Sequence, residues 1–343
     1  SYNIAIGKSA LSTSLDGDHN TAIGVYALED YEDGDGNGFN TAVGSQSQAQ
    51  ATTGEFNTSL GASSMGVGVT TGDYNVALGY AAGNAITSGQ RNILIGGNAG
   101  DALTTGESNV AIGHGALSAE DTTGSTTAIG YKALNLQNAA AESYNVAVGF
   151  EAGKAVTTGI KNTLIGSEAG VALTVGNYNT VLGYGALNTS VDGDYTAIGF
   201  QALLAYEDGD GDGHNTAVGA SSQTSATTGQ FNTSLGSLSM GSGVTTGDGN
   251  TVLGYSAGLA ITSGAENVLI GSNAGDALTT GYFNVGIGHE ALSTEDGHGY
   301  NVAVGHHALR VQDAGVDAYN TVVGYAAGAA VTTGIRNTII GGL

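Results

Sequence analysis

A five-residue pattern recurs along this chain: a polar residue, a β-branched residue, a small residue, an aliphatic residue and a glycine. Examples are NTAIG at 20–24, NVALG at 75–79 and NTIIG at 337–341. Asn opens eighteen of the twenty copies, and Thr126 and Tyr195 open the other two. The second position is always Thr, Val or Ile, and the fourth is always Ile, Val or Leu. So short a β-branched run, bounded by Asn and Gly, predicts a strand; a helix would repeat its apolar residues every three or four positions. Most copies continue as G-x-x-A-[GL], followed by a polar stretch that often ends in TTG (52–54, 70–72, 157–159, 227–229, 332–334). Glycine takes positive φ at low cost and Thr bonds to nearby backbone, so these stretches predict turns.

The closing glycines run from Gly7 to Gly341, mostly 17 residues apart and never outside 16 to 20. Intervals of 20 lead to Gly44 and Gly219, and intervals of 19 lead to Gly149 and Gly324. Ten copies therefore form a super-repeat of about 175 residues, present twice, as 1–175 and 176–343. The match of EFNTSLGASSMGVGVTTGD from 55 to QFNTSLGSLSMGSGVTTGD from 230 marks a tandem duplication. A period of 17 is too short for a helix pair or a propeller blade, but it suits one coil of a solenoid. The predicted fold is all-β: a parallel β-solenoid (β-roll) of about twenty 17-residue coils, stacked about 4.8 Å apart.

Alternation along each strand puts the second and fourth positions on one face and the Ala position, with Asn and Gly, on the other. The bulkier aliphatic face is the expected interior, so Ile112→Asp should unfold neighbouring coils and Thr123→Asp, in a polar turn, should cost little. The Asn column predicts a ladder of amides bonded to neighbours above and below. The row of alanines would then admit another backbone. That predicts a homotrimer packed or intertwined around an axis, with a monomeric solenoid as the alternative.

Composition narrows the function. There are 60 glycines and no proline, as expected where strands pair on both edges and every amide hydrogen is needed. There is no cysteine, which excludes disulfides and thiol chemistry. Seven Lys and Arg stand against 30 Asp and Glu, a net charge of −23, which argues against nucleic acid and anionic membrane as partners. No apolar run is long enough to span a bilayer. The chain starts at Ser1 and not Met, as a processed or partial product would.

The strongest candidate chemistry is acidic. YEDGDGNG at 31–38 and YEDGDGDG at 206–213 sit in the two 20-residue units. Asp33, Asp35 and Asn37, and likewise Asp208, Asp210 and Asp212, follow the alternating oxygen pattern that opens a calcium loop. Gly44 and Gly219 stand where such a loop carries its bidentate Glu, so Glu32, Glu207 or another chain would have to complete a Ca2+ site. A solvated acidic turn is the other reading. Asp16 with Asp18, and Asp192 with Asp194, are shorter versions of the motif. The seven histidines show no metal-ligand spacing, and the pair at 306–307 reads as surface. No G-x-S-x-G elbow with supporting acid and base occurs, and no lysine follows a phosphate-cradling loop, so no enzyme activity is expected. Ten of the 22 Tyr and Phe precede the repeated pattern and seven follow its glycine. These columns would pack between coils or chains, or bind sugars by stacking.

The N-[TV]-A-[IV]-G-x-x-A unit resembles the head repeats of trimeric autotransporter adhesins, which form a left-handed parallel β-roll of three intertwined chains. Its longer form with AL and TTG is similar to repeats of phage tail-fibre-like proteins that end in a self-cleaving chaperone domain. The resemblance implies a non-enzymatic fibre or adhesin shaft that is extracellular, on a cell surface or on a virion. Its partners would be its own copies and a cell-surface glycan or protein receptor. Neither end carries an atypical capping unit, so the repeating subunit of an end-to-end filament is the alternative. Ice binding through the TTG threonines is a more remote one, since the spacing between them varies.

Overall fold

The computed structural model describes residues 2–14, 17–32, 38–207 and 213–342. The chain divides into two compact units, Ser1–Val175 and Gly176–Leu343. Each has ten strands of three residues, from Ile4–Ile6 to Thr163–Ile165 in the first and from Thr180–Leu182 to Thr338–Ile340 in the second. Within each unit every strand pairs in parallel with the next one in sequence. The register is strict: Ala111 lies opposite Ala128, and Ala128 opposite Ala147. Among the described residues there is no helix. Each unit is a parallel β-solenoid with one coil per repeat.

The interior is not the expected face. In every strand but the first and the last the middle residue is the buried one, as at Ala22, Ala77, Leu94, Ala111 and Ala147, all at 0% exposure. Its neighbours face outward: Ile112 is half-buried, and Leu60 and Leu182 are exposed. The parity of the strand is as read from the sequence, but the polarity is reversed. The reason is space. Asn shares the middle residue's face and carries its own hydrogen-bonding needs inside a thin coil, which limits the apolar volume that strand and turn can place there. Thr123 is also buried rather than in an open turn. Its N–H donates to Glu120 Oε1 (3.0 Å) and its carbonyl accepts from Asn109 Nδ2 (3.0 Å). Thr123→Asp is therefore not the harmless change expected.

In several coils a small strand residue is matched by a large one from the turn. Ala22, Ala111, Ala128, Ala197 and Ala303 are accompanied by Leu28, Leu117, Leu134, Leu203 and Leu309, all fully buried. Where the strand supplies Leu94, Leu164 or Leu269, the turn position holds Gly100, Gly170 or Gly275 instead. A Cβ added to Gly100 would meet Leu94 Cδ2 at 2.8 Å, so large and small residues alternate to keep the density of a packed interior.

The asparagines form a buried column, bonded chiefly to backbone. Asn57 Oδ1 accepts from the Asn75 N–H (2.8 Å), and Asn57 Nδ2 donates to the Gly72 carbonyl (2.9 Å). Asn75, Asn92 and Asn109 continue the pattern, and direct amide-to-amide bonds occur as at Asn92 Nδ2 to Asn75 Oδ1 (3.0 Å). Most of these Asn side chains thus tie a strand start to the following turn and to the next coil, while Asn20 and Asn301 bond through Oδ1 to the next coil and leave Nδ2 without a partner among the described residues. Where Thr126 replaces Asn, Gln137 bridges the gap, donating to Thr126 Oγ1 (3.2 Å) and accepting from Asn145 Nδ2 (2.8 Å).

Candidate functional site

The proposed calcium ligands Asp33, Asp35, Asn37, Asp208, Asp210 and Asp212 lie outside the described residues. Their flanks are anchored. Tyr31 and Tyr206, which open the acidic motifs, are fully buried and among the largest core side chains. Glu32 and Glu207 donate their N–H groups to the Thr52 (2.9 Å) and Thr227 (3.1 Å) carbonyls of the following coil. The tyrosines were legible only as part of an acidic turn; each is the last core residue before the insertion.

The aromatic residues before Asn form columns along the coils. Tyr2, His19, Phe39, Phe56 and Tyr74 stack in succession with ring centroids 5.0, 4.8, 5.2 and 5.0 Å apart. Phe283, Tyr300 and Tyr319 do so in the second unit at 5.4 and 4.7 Å. In-register pairing sets this spacing, because side chains at one coil position repeat at the coil rise. The backbone here is left-handed, with φ of 49° at Phe39, 57° at Phe56 and 60° at Tyr74. That conformation is uncommon for bulky residues and easiest for glycine, so the rings are retained against local backbone preference. Their faces are occupied by each other and their edges face solvent, which favours packing between coils over a sugar-stacking strip. Phe56→Ala removes two stacked contacts and should lower stability by about 1–2 kcal/mol in urea denaturation. An unchanged midpoint would show that the column does not contribute to folding.

Among the described residues, two groups of titratable side chains could hold a metal ion, each with its ligand atoms within 4.8 Å of one another. The first is His289, His306 and His307. The rings of His306 and His307 lie 3.8 Å apart in the turn after their strand. His307 Nε2 is 3.1 Å from Glu290 Oε2, which Arg310 also approaches at 3.5 Å. Burial, with His306 beside it, holds the His307 imidazole below the usual histidine range despite Glu290.

The second group is Glu295, Asp296, His298 and Asp313. Glu295 is fully buried, and its Oε1 accepts from the His298 N–H (3.1 Å) and lies 3.5 Å from His298 Nδ1. Burial pushes its carboxyl above the ordinary carboxylate range, with His298 acting in the opposite direction. Neither group has a linear motif. The signal is the coil period: His289 and His306, like Asp296 and Asp313, are one repeat of 17 apart, so that side chains in adjacent coils meet.

No protein-family model matches the chain, and no curated protein does.

Proposed function

We propose that this chain is a non-enzymatic fibre or adhesin shaft, displayed on a cell surface or virion, whose copies meet through the outward strand face as a homotrimer. One observation carries the reading: the outward strand positions form an uncharged stripe along each unit. Every strand residue is Thr, Val, Ile, Leu, Ala, Ser or Gly. The outward aliphatic residues are half-buried or open to solvent, the latter including Leu60 at 51%, Leu235 at 46% and Leu253 at 40%. Contiguous apolar surface of this kind marks an association site. The chain's net charge of −23 resides outside the strands, so copies can approach there without bringing carboxylates together. The alanine row, by contrast, lies inside each coil and plays no part in the contact. The resemblance of the repeat to trimeric fibre heads supports the same stoichiometry, and a glycan or protein receptor would be the shaft's second partner.

The test places two charges on that stripe. Ile95→Glu with Ile112→Glu should reduce the solution mass to the 33.7 kDa of one chain, with the far-UV circular dichroism of the coils retained. A mass unchanged by the pair would overturn the proposed contact.

A further inference from the structure

We propose that Glu295, His298 and Asp313, with Asp296, bind a divalent transition-metal ion of the zinc class. The four side chains come from two successive coils and bring their ligand atoms within 4.8 Å of one another. Glu295 is fully buried, yet its Oε2 has no hydrogen-bond partner, and neither has His298 Nδ1. A buried carboxylate oxygen without a donor costs free energy unless something positive faces it. Among the described residues no Lys or Arg pairs with any of the four.

The duplicated unit supplies the control. Glu120 occupies the equivalent position 175 residues earlier, on the same loop, and its Oε1 caps the Thr123 N–H (3.0 Å) as Glu295 Oε1 caps that of His298 (3.1 Å). There, however, Oε2 is satisfied by Gln137 Nε2 (3.2 Å) and the Ala139 N–H (3.5 Å). In the second unit Gln312 turns away and donates to the Gly334 carbonyl (3.4 Å). Thr123 and Asn138 of the first unit are replaced by His298 and Asp313. The copy that lost the amide donor is thus the one with an imidazole and an added carboxylate. An imidazole nitrogen among carboxylate oxygens suits Zn2+, Co2+ or Ni2+ better than Ca2+ or Mg2+, which take all-oxygen sets. The ion would pin the coil carrying Glu295, Asp296 and His298 to the next one, which carries Asp313.

Calorimetric titration of the full chain with ZnCl2 tests this. One equivalent should bind, CaCl2 should not compete, and Co2+ should give the visible absorption of a low-coordinate site in the unmodified protein. The double variant His298→Thr with Asp313→Asn installs the residues the first unit folds with, and should weaken Zn2+ binding at least 100-fold. Absence of stoichiometric binding, or binding retained in that variant and lost in His306→Ala with His307→Ala, would overturn the assignment. Equal competition by Ca2+ would overturn the zinc class.

Discussion

Gly96→Ala should lower stability by about 3 kcal/mol or more, while Gly97→Ala, one residue later, should change it by only about 0.5 kcal/mol. Gly96 closes its strand at φ +132°, and the other closing glycines lie between +132° and +145°, where a side chain is strained. There is also no room. A Cβ on Gly96 would lie 2.6 Å from both the carbonyl carbon and oxygen of Gly113 in the next coil, and backbone cannot rotate away as a side chain can. At Gly97 the nearest atom is His114 Cδ2 at 3.5 Å, an ordinary contact. Because coils stack with little rise between them, the closing glycines form a column where backbone touches backbone. Chemical denaturation of both variants reads the difference, and equal midpoints would contradict this account of the column.

The second large effect distinguishes the two faces of one strand. Ala111→Asp should cost about 3 kcal/mol or more, since position 111 is at 0% exposure among apolar side chains and a carboxylate there has no partner. Ile112→Asp, on the half-buried outward face, should leave the coils folded and act on association instead. Stability in a stacked array is a sum of local terms, so amide hydrogen exchange in the flanking coils should rise for Ala111→Asp and not for Ile112→Asp. The reverse ranking would restore the aliphatic face to the interior.

The contrast shows what could be read from residues alone. Period, parity and duplication fix which residues align, and they place Ala111 opposite Ala128 without coordinates. They do not say which face turns inward, because hydrophobicity favoured Ile112 while coil thickness decided for Ala111. The pairing of Ala111 with Leu117, and of Leu94 with Gly100, was visible as the A-[GL] alternation but read as turn chemistry. The Asn column was legible as a ladder; its bonding to backbone carbonyls was not. No linear motif marks the Glu295 group, because its ligands are assembled by a 17-residue coil period.

If copies of this chain meet at the outward strand face, sedimentation equilibrium of the unmodified protein should show it. The expected result is a single species at three times the 33.7 kDa chain mass. A single species at 33.7 kDa across the concentration range would contradict it.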